Sequence, residues 1–183
     1  MSFSRRIVLP LIVALAVVGL GALVSGCGSS SEPTHVEEGE VLQLGPLKYQ
    51  VTFSRYLNPN DNEDVAYLVG QEEAQKESAY FGVWFEVQNE TEQIQKLPTE
   101  MVVTDEEGNE YKALPSESIF AFPMGGTIEP EEQVPVLDSA AQQGPIQSSL
   151  VIFELTDEAS SNRPLTLHLE SPEGDKGEVQ LDL

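Results

Sequence analysis

The chain has 183 residues, 31 of them acidic against nine lysines and arginines, for a net charge of −22, and it has a single cysteine. A field this negative repels nucleic acid and anionic lipid headgroups and favours cations, cationic peptides or a high-salt habitat. One cysteine excludes an intramolecular disulfide, so stability has to come from a packed core, for which the length allows one domain after an N-terminal extension.

The chain opens as an export signal. Arg5 and Arg6 precede an apolar run from Ile7 to Leu23, interrupted only by Pro10 and small residues; this is the profile of a signal peptide. The run closes on Val24-Ser25-Gly26-Cys27, a lipobox whose small residues fit a peptidase cleft and whose Cys27 thiol accepts a diacylglycerol. Cleavage before Cys27 removes residues 1–26. Arg5 and Arg6 leave with them while every acidic residue stays, which takes the net charge from −22 to −24. Several acyl chains make a durable anchor where one holds weakly. The other reading of the run is an uncleaved transmembrane anchor, since a span needs about 20 apolar residues. Both readings put residues 28–183 outside the cytoplasm, tethered to the cell membrane at their N-terminus.

Residues 27–40 read as the lipidated cysteine and a flexible acidic tether, because Gly28 to Glu40 is small and polar with nothing to bury. The paired carboxylates Glu37-Glu38, like Glu131-Glu132 further on, read as solvated loop charges. From Val41 the apolar residues recur mostly at period two, the signature of strands with one face on a core and the other in water. The expected strands are Val41–Leu44, Leu47–Tyr56, Ala79–Asn89, Met101–Thr104, Glu110–Ala113, Ser118–Phe122, Ile146–Leu155, Leu165–Glu170 and Glu178–Leu181. In Ala79–Asn89, Phe81, Val83, Phe85 and Val87 share one face and Tyr80, Trp84 and Glu86 the other, so a central strand is expected. Gly108, in Asp105-Glu106-Glu107-Gly108-Asn109, is free to take a positive φ in a hairpin. Between the second and third strands, Asn58 to Ser78 starts as a turn-rich acidic loop and ends in helix-preferring residues. It is expected to decorate the domain. The pattern predicts an all-β fold, an antiparallel β-sandwich over residues 41–183.

Three stretches carry a resemblance: Tyr49-Gln50-Val51-Thr52-Phe53, then AYFGVWFEVQNETEQIQKLPTEMVVTDEEGNEY, then GPIQSSLVIFELTDEASSNRPLTLHLE. Together they resemble a family of uncharacterised immunoglobulin-like domains found in bacterial and archaeal lipoproteins and related to small secreted immunoprotective antigens. The resemblance implies an immunoglobulin-like sandwich whose long strand ends at an Asn, here Asn89, ahead of an acidic Gly hairpin and an aromatic, here Tyr111. It implies no catalytic residues, and the Asn58 to Ser78 insertion departs from it.

Chemistry-bearing sets are sparse. His35 falls in the tether and His168 on a strand, where alternation with leucines turns it to water beside Thr166 and Glu170. No serine elbow and no phosphate-binding glycine pattern occurs. Separated histidines and a lipidated cysteine leave no soft-metal set. Calcium is the cofactor to consider, because Asn58, Asn60, Asp61, Asn62, Glu63 and Asp64 crowd oxygen ligands into one loop. Asn60, Asp61, Asn62 and Asp64 are the candidate ligands, although Val65 and Gln71 stand where an EF-hand needs glycine and glutamate. In Ile119-Phe120-Ala121-Phe122 the phenylalanines are expected in the core. The sequon Asn89-Glu90-Thr91 carries no weight.

These readings predict a lipid-anchored, extracytoplasmic, non-enzymatic domain that binds an envelope protein, peptide or polymer or serves as structure. The alternative is an envelope enzyme or accessory subunit with an acidic cleft built from Asp61, Glu63 and Asp64 or from His168 and Glu170.

Overall fold

The computed structural model describes residues 34–182; the lipobox Val24-Ser25-Gly26, Cys27 and the first part of the expected tether lie outside them. The strands are β1 (Thr34–Glu37), β2 (Val41–Leu44), β3 (Leu47–Tyr56), β4 (Ser78–Asn89), β5 (Gln95–Lys96), β6 (Met101–Thr104), β7 (Glu110–Lys112), β8 (Thr127–Ile128), β9 (Gln133–Val134), β10 (Ser149–Thr156), β11 (Leu165–Glu170) and β12 (Lys176–Leu181). Two short helices, α1 (Asn62–Tyr67) and α2 (Ala140–Gln143), interrupt them. The front sheet runs β10-β4-β3-β2, with β9 beside the end of β4; the back sheet runs β1-β12-β11-β6-β7; β5 and β8 form a small ribbon. The fold is the expected all-β sandwich, and its pairings are antiparallel except for β1 with β12.

Alternation builds the core. Leu42, Tyr49, Val51, Phe81, Val83, Phe85, Val151 and Phe153 of the front sheet meet Met101, Val103, Leu165, Leu167, Leu169 and Val179 of the back sheet. Each such side chain removed from water stabilises the fold by about 1.5–3 kcal/mol. The central position of β4 is as expected, between β3 and β10. A second cluster, Leu57, Tyr67, Tyr80, Trp84, Leu150 and Ile152, lies on the outer side of the front sheet. Residues from the Asn58 to Ser78 insertion cover it.

One irregularity reorients β3. Val51 pairs with Phe85 and Phe53 with Trp84, which leaves Thr52 as an extra, unpaired residue. Simple alternation would put Phe53 on the core face with Leu47, Tyr49 and Val51. The bulge instead sends Phe53 and Arg55 outward and turns Ser54 in, as bulges do.

Several expectations need correction. Thr34 to Glu37, inside the stretch read as tether, form β1 and pair in parallel with Gly177 to Gln180. The following turn is fixed by Glu38, whose carboxylate accepts from the Ser54 N–H (3.1 Å), the Ser54 hydroxyl (2.5 Å) and the Asp182 N–H (3.1 Å); it is no free loop charge. Ser118 to Phe122 forms a turn rather than a strand, closed by the Ala121 N–H donating to the Ser118 carbonyl. It is pinned to the edge of β10 by the Phe122 N–H on the Leu150 carbonyl and the Leu150 N–H on the Phe120 carbonyl, both 2.8 Å. The helix of the insertion lies at its start rather than its end. Asp61 caps it by accepting from the N–H groups of Glu63 and Asp64, and Tyr67 is buried beneath it, whereas Gln71 to Gln75 has no such apolar face to pack.

Candidate functional site

The insertion is tied to the front sheet through Arg55. The bulge at Thr52 aims Arg55 outward over the Trp84 ring, 5.3 Å from its centroid. There its guanidinium donates twice to the Asp64 carboxylate, at 2.8 and 2.5 Å, while the Asn58 N–H donates to the same carboxylate at 2.7 Å. Burial pushes the Asp64 carboxyl up, but the Arg55 and Asn58 hydrogen bonds and the Arg55 charge outweigh it and hold the carboxyl below its ordinary 3.8. Beneath the pair, Tyr67 stands edge-on to both Trp84 (5.4 Å) and Phe120 (5.1 Å). Burial, then the neighbouring Glu63 carboxylate, pushes the Tyr67 hydroxyl up to about 12. Ser118 Oγ donates to the Ala66 carbonyl and the Gln71 amide to the Pro115 carbonyl, so the 114–122 turn closes over the same aromatics.

This places the calcium candidates. Asp64 is buried in the pair with Arg55. Asp61 caps α1. The Asn58 amide oxygen accepts from the Asn60 N–H at 3.0 Å. Asn62 begins α1, and Asn60 and Asn62 are exposed. The carboxylates have taken structural partners, and among the described residues no three His, Cys, Asp or Glu groups come together where a metal ion could sit.

The cover leaves an apolar surface. Val65 on α1 and Val69 in the turn that follows it are 51% and 47% exposed, and Ile119 on the adjoining turn is 73% exposed. Phe53 lies against Trp84 and is also exposed, as is Val41 at the far edge of the same sheet. Among the described residues, no exposed large apolar side chain belongs to a strand of the back sheet. Of the expected core phenylalanines, Phe122 is in the main core and Phe120 is half-buried against the second cluster. A hollow of about 170 Å³ opens beside α1 among Pro59, Val65, Leu68, Ala74 and Tyr80, with Glu72 and Glu73 on its wall.

The back sheet presents a polar face. Pairing aligns His35, Glu178, His168, Val102 and Lys112 in one row across five strands. The Nδ1 atoms of His35 and His168 each stand 3.5 Å from a different oxygen of Glu178, and His168 Nε2 is 2.8 Å from the Thr104 hydroxyl. The sequence had kept the two histidines apart; β1 brings them to one carboxylate. A shallow groove of about 220 Å³ runs beside the row, walled by Glu100, Val102, Glu170 and Lys176.

The sequon asparagine is fully occupied. Asn89, 1% exposed, donates to the carbonyls of Gln93, Ile128 and Glu129 and accepts from the Thr91 N–H and hydroxyl. It fastens the end of β4 to the β8–β9 loop, a physical reason for an Asn at the end of the long strand.

The class that fold and faces define is an all-β sandwich of largely antiparallel sheets with one insertion-covered face. The yjhA protein of Bacillus subtilis has the same fold, with a TM-score of 0.53 at 14% identity over 80% of this chain and 99% of its own. The Bacillus subtilis chain titled "putative lipoprotein (ycdA)" matches with a TM-score of 0.52 at 8% identity over 80% of this chain and 39% of its own. The secreted protein MPT63 of Mycobacterium tuberculosis matches with a TM-score of 0.50 at 13% identity over 82% of this chain and 99% of its own. At these identities the likeness is one of fold. No family model matches the chain, and no curated protein matches it in sequence.

Proposed function

We propose that the chain is an extracytoplasmic lipoprotein, anchored through Cys27, whose sandwich works without catalysis as a binding module and engages its partner through the insertion-covered face of the front sheet. The observation that carries this reading is the unequal distribution of apolar surface. In an acid-coated domain, Val65, Val69, Ile119 and Phe53 are exposed about the insertion, with Val41 at the edge of the same sheet and Ile94, Val136 and Leu137 in other loops, while the described strands of the opposite face expose no large apolar residue. Concentrated apolar exposure marks interaction surfaces. Rigid sandwiches characteristically use their loops and insertions to bind. The lipobox, together with a fold shared by a secreted protein and a chain titled as a lipoprotein, supports the location.

The test is crosslinking in the intact cell with fractionation. The wild type is expected in the membrane fraction with a reproducible crosslinked species; Cys27→Ala should leave the membrane fraction, and Val69→Asp should stay there but lose the crosslink. A crosslink indifferent to Val69→Asp would move the binding face elsewhere. Recovery of Cys27→Ala in membranes at the wild-type level would sink the lipid anchor.

A second reading, an accessory subunit or enzyme of the envelope, rests on the back-sheet groove with His168, Glu178 and Glu170. It requires that His168→Ala abolish a measurable turnover that Val69→Asp leaves intact.

A further inference from the structure

We infer that the occupant of the insertion face is a protein segment of opposite charge: a stretch carrying one large apolar side chain flanked by lysines or arginines. This rests on the binding face proposed above and names what fills it.

The face has the two parts such a segment needs. Its floor is apolar, with Val65 and Val69 on α1 and its following turn, Ile119 beside them, and a hollow walled by Pro59, Leu68, Ala74 and Tyr80. At about 170 Å³ that hollow is close to the size which, when lined by apolar groups, takes one aromatic ring. Its rim is acidic. Glu72 and Glu73 line the hollow, and Glu117 is held against the insertion by its N–H on the Val69 carbonyl. Leu57 to Gln75 and Leu114 to Phe122 contain no lysine or arginine; Lys76, at the end of the insertion, is paired with Glu77, and Arg55 of the sheet is committed to Asp64 and Glu63. An anchor side chain in a pocket with opposite charges around it is the usual economy of a binding hot spot, where the pocket supplies affinity and the rim charges supply steering and register.

Charge also decides against the other occupants. A second copy would bring an identical acidic rim onto this one, two particles of net charge −24 after cleavage meeting at like-charged loops. An anionic lipid surface is repelled for the same reason. A purely apolar ligand would fill the hollow and leave Glu72, Glu73 and Glu117 with nothing to answer.

The test uses the full chain in discs of neutral phosphatidylcholine, with empty discs as blank, and three labelled twelve-residue peptides read by fluorescence anisotropy. One alternates lysine with leucine around a central tryptophan, one replaces its leucines and tryptophan by serine, and one replaces its lysines by glutamate. The lysine–leucine peptide should bind at least tenfold tighter than either control, with an affinity that falls as salt is raised. Val65→Asp or Ile119→Asp should weaken it tenfold or more, Glu72→Gln with Glu73→Gln should weaken it and flatten its salt dependence, and Val41→Asp, also on exposed surface, should leave it unchanged. Equal binding of the lysine–serine peptide, equal binding of the glutamate peptide, or indifference to Ile119→Asp would each overturn the inference. So would a dimer detected by light scattering that Ile119→Asp dissolves. If the cellular crosslink depends on Val69 but the captured protein offers no cationic segment, the partner chemistry is wrong while the binding face stands.

Discussion

Asn89 shows how a polar side chain can be structural. Its amide holds three carbonyls and two Thr91 donors at a site closed to water. Asn89→Ala strands those groups and should cost roughly 2–3 kcal/mol, read as a lower midpoint of urea unfolding. Because the side chain is already engaged, the folded domain should acquire no glycan in a host that glycosylates. Two buried aspartates set the acid limb of stability. At Asp105, as at Asp64, burial pushes the carboxyl up and hydrogen bonds outweigh it, here from the Asn109 side chain and N–H, the Asn162 side chain and the Glu107 N–H, so both sit below the ordinary 3.8. A carboxyl depressed by folding contributes stability that is fully present above its unfolded value and lost as pH falls through its folded one. Stability supplied by these two should therefore hold from neutrality to about pH 5 and fall away below about pH 4. Asp64→Asn should lower stability at pH 7 and shrink that acid loss; urea midpoints at pH 7 and pH 3 check it, and an unchanged gap between them would refute the assignment.

At the scale of elements, β4 is made for two layers. Its inner face serves the sandwich core, and its outer face holds Trp84 under the insertion. Between Tyr80 and Trp84 the strand carries Gly82, where a Cβ would stand 2.8 Å from the Trp84 ring and 2.9 Å from Leu150. Gly82→Ala should cost about 1–3 kcal/mol through overpacking. Trp84 is the only tryptophan, so its emission reports on this layer alone: Asp64→Ala, which removes the partner of Arg55, should shift emission to the red before global unfolding. Most strands were legible because long alternating runs have few other uses; β2, β3, β6 and β11 fall where the pattern put them. What was not legible lacked a period. Thr-His-Val-Glu in β1 has one apolar residue and gains its place from β12, and β5, β8 and β9 are two residues each. The Thr52 bulge has no local signature. Ser118 to Phe122 looked like a strand, but its three large side chains go to solvent, to the second cluster and to the main core. The site was half visible: the insertion stood out as a departure, but its acids read as ligands until Arg55, brought round by the bulge, took Asp64.

At the scale of the whole molecule, charge governs behaviour. Of the seven basic residues beyond residue 26, Lys48, Arg55, Lys76, Lys112 and Lys176 already sit within 4 Å of a carboxylate, so most acids face one another across water. Self-repulsion of this kind is relieved as the screening length falls from about 30 Å at 0.01 M salt to about 10 Å at 0.1 M. The melting temperature should rise most over that interval and then flatten. A melting temperature indifferent to salt would mean the acids are too dispersed to strain the fold.

The parallel pairing of β1 with β12 also has a mechanical meaning. If the chain is anchored at Cys27 and holds a partner on its front face, as proposed, a pull between cell and partner enters the described residues at Thr34. Tension along β1 loads its rungs to β12 side by side, in shear, so they resist together instead of opening one by one. When they yield, the four residues of β1 leave the sheet but add almost no length, because a strand is already close to the full extension of its chain. The load then arrives at Glu38, whose carboxylate is tied to β3 and to the far end of the chain. The first strand is in this sense a clasp, sharing the load with β12 before the sandwich itself is stressed.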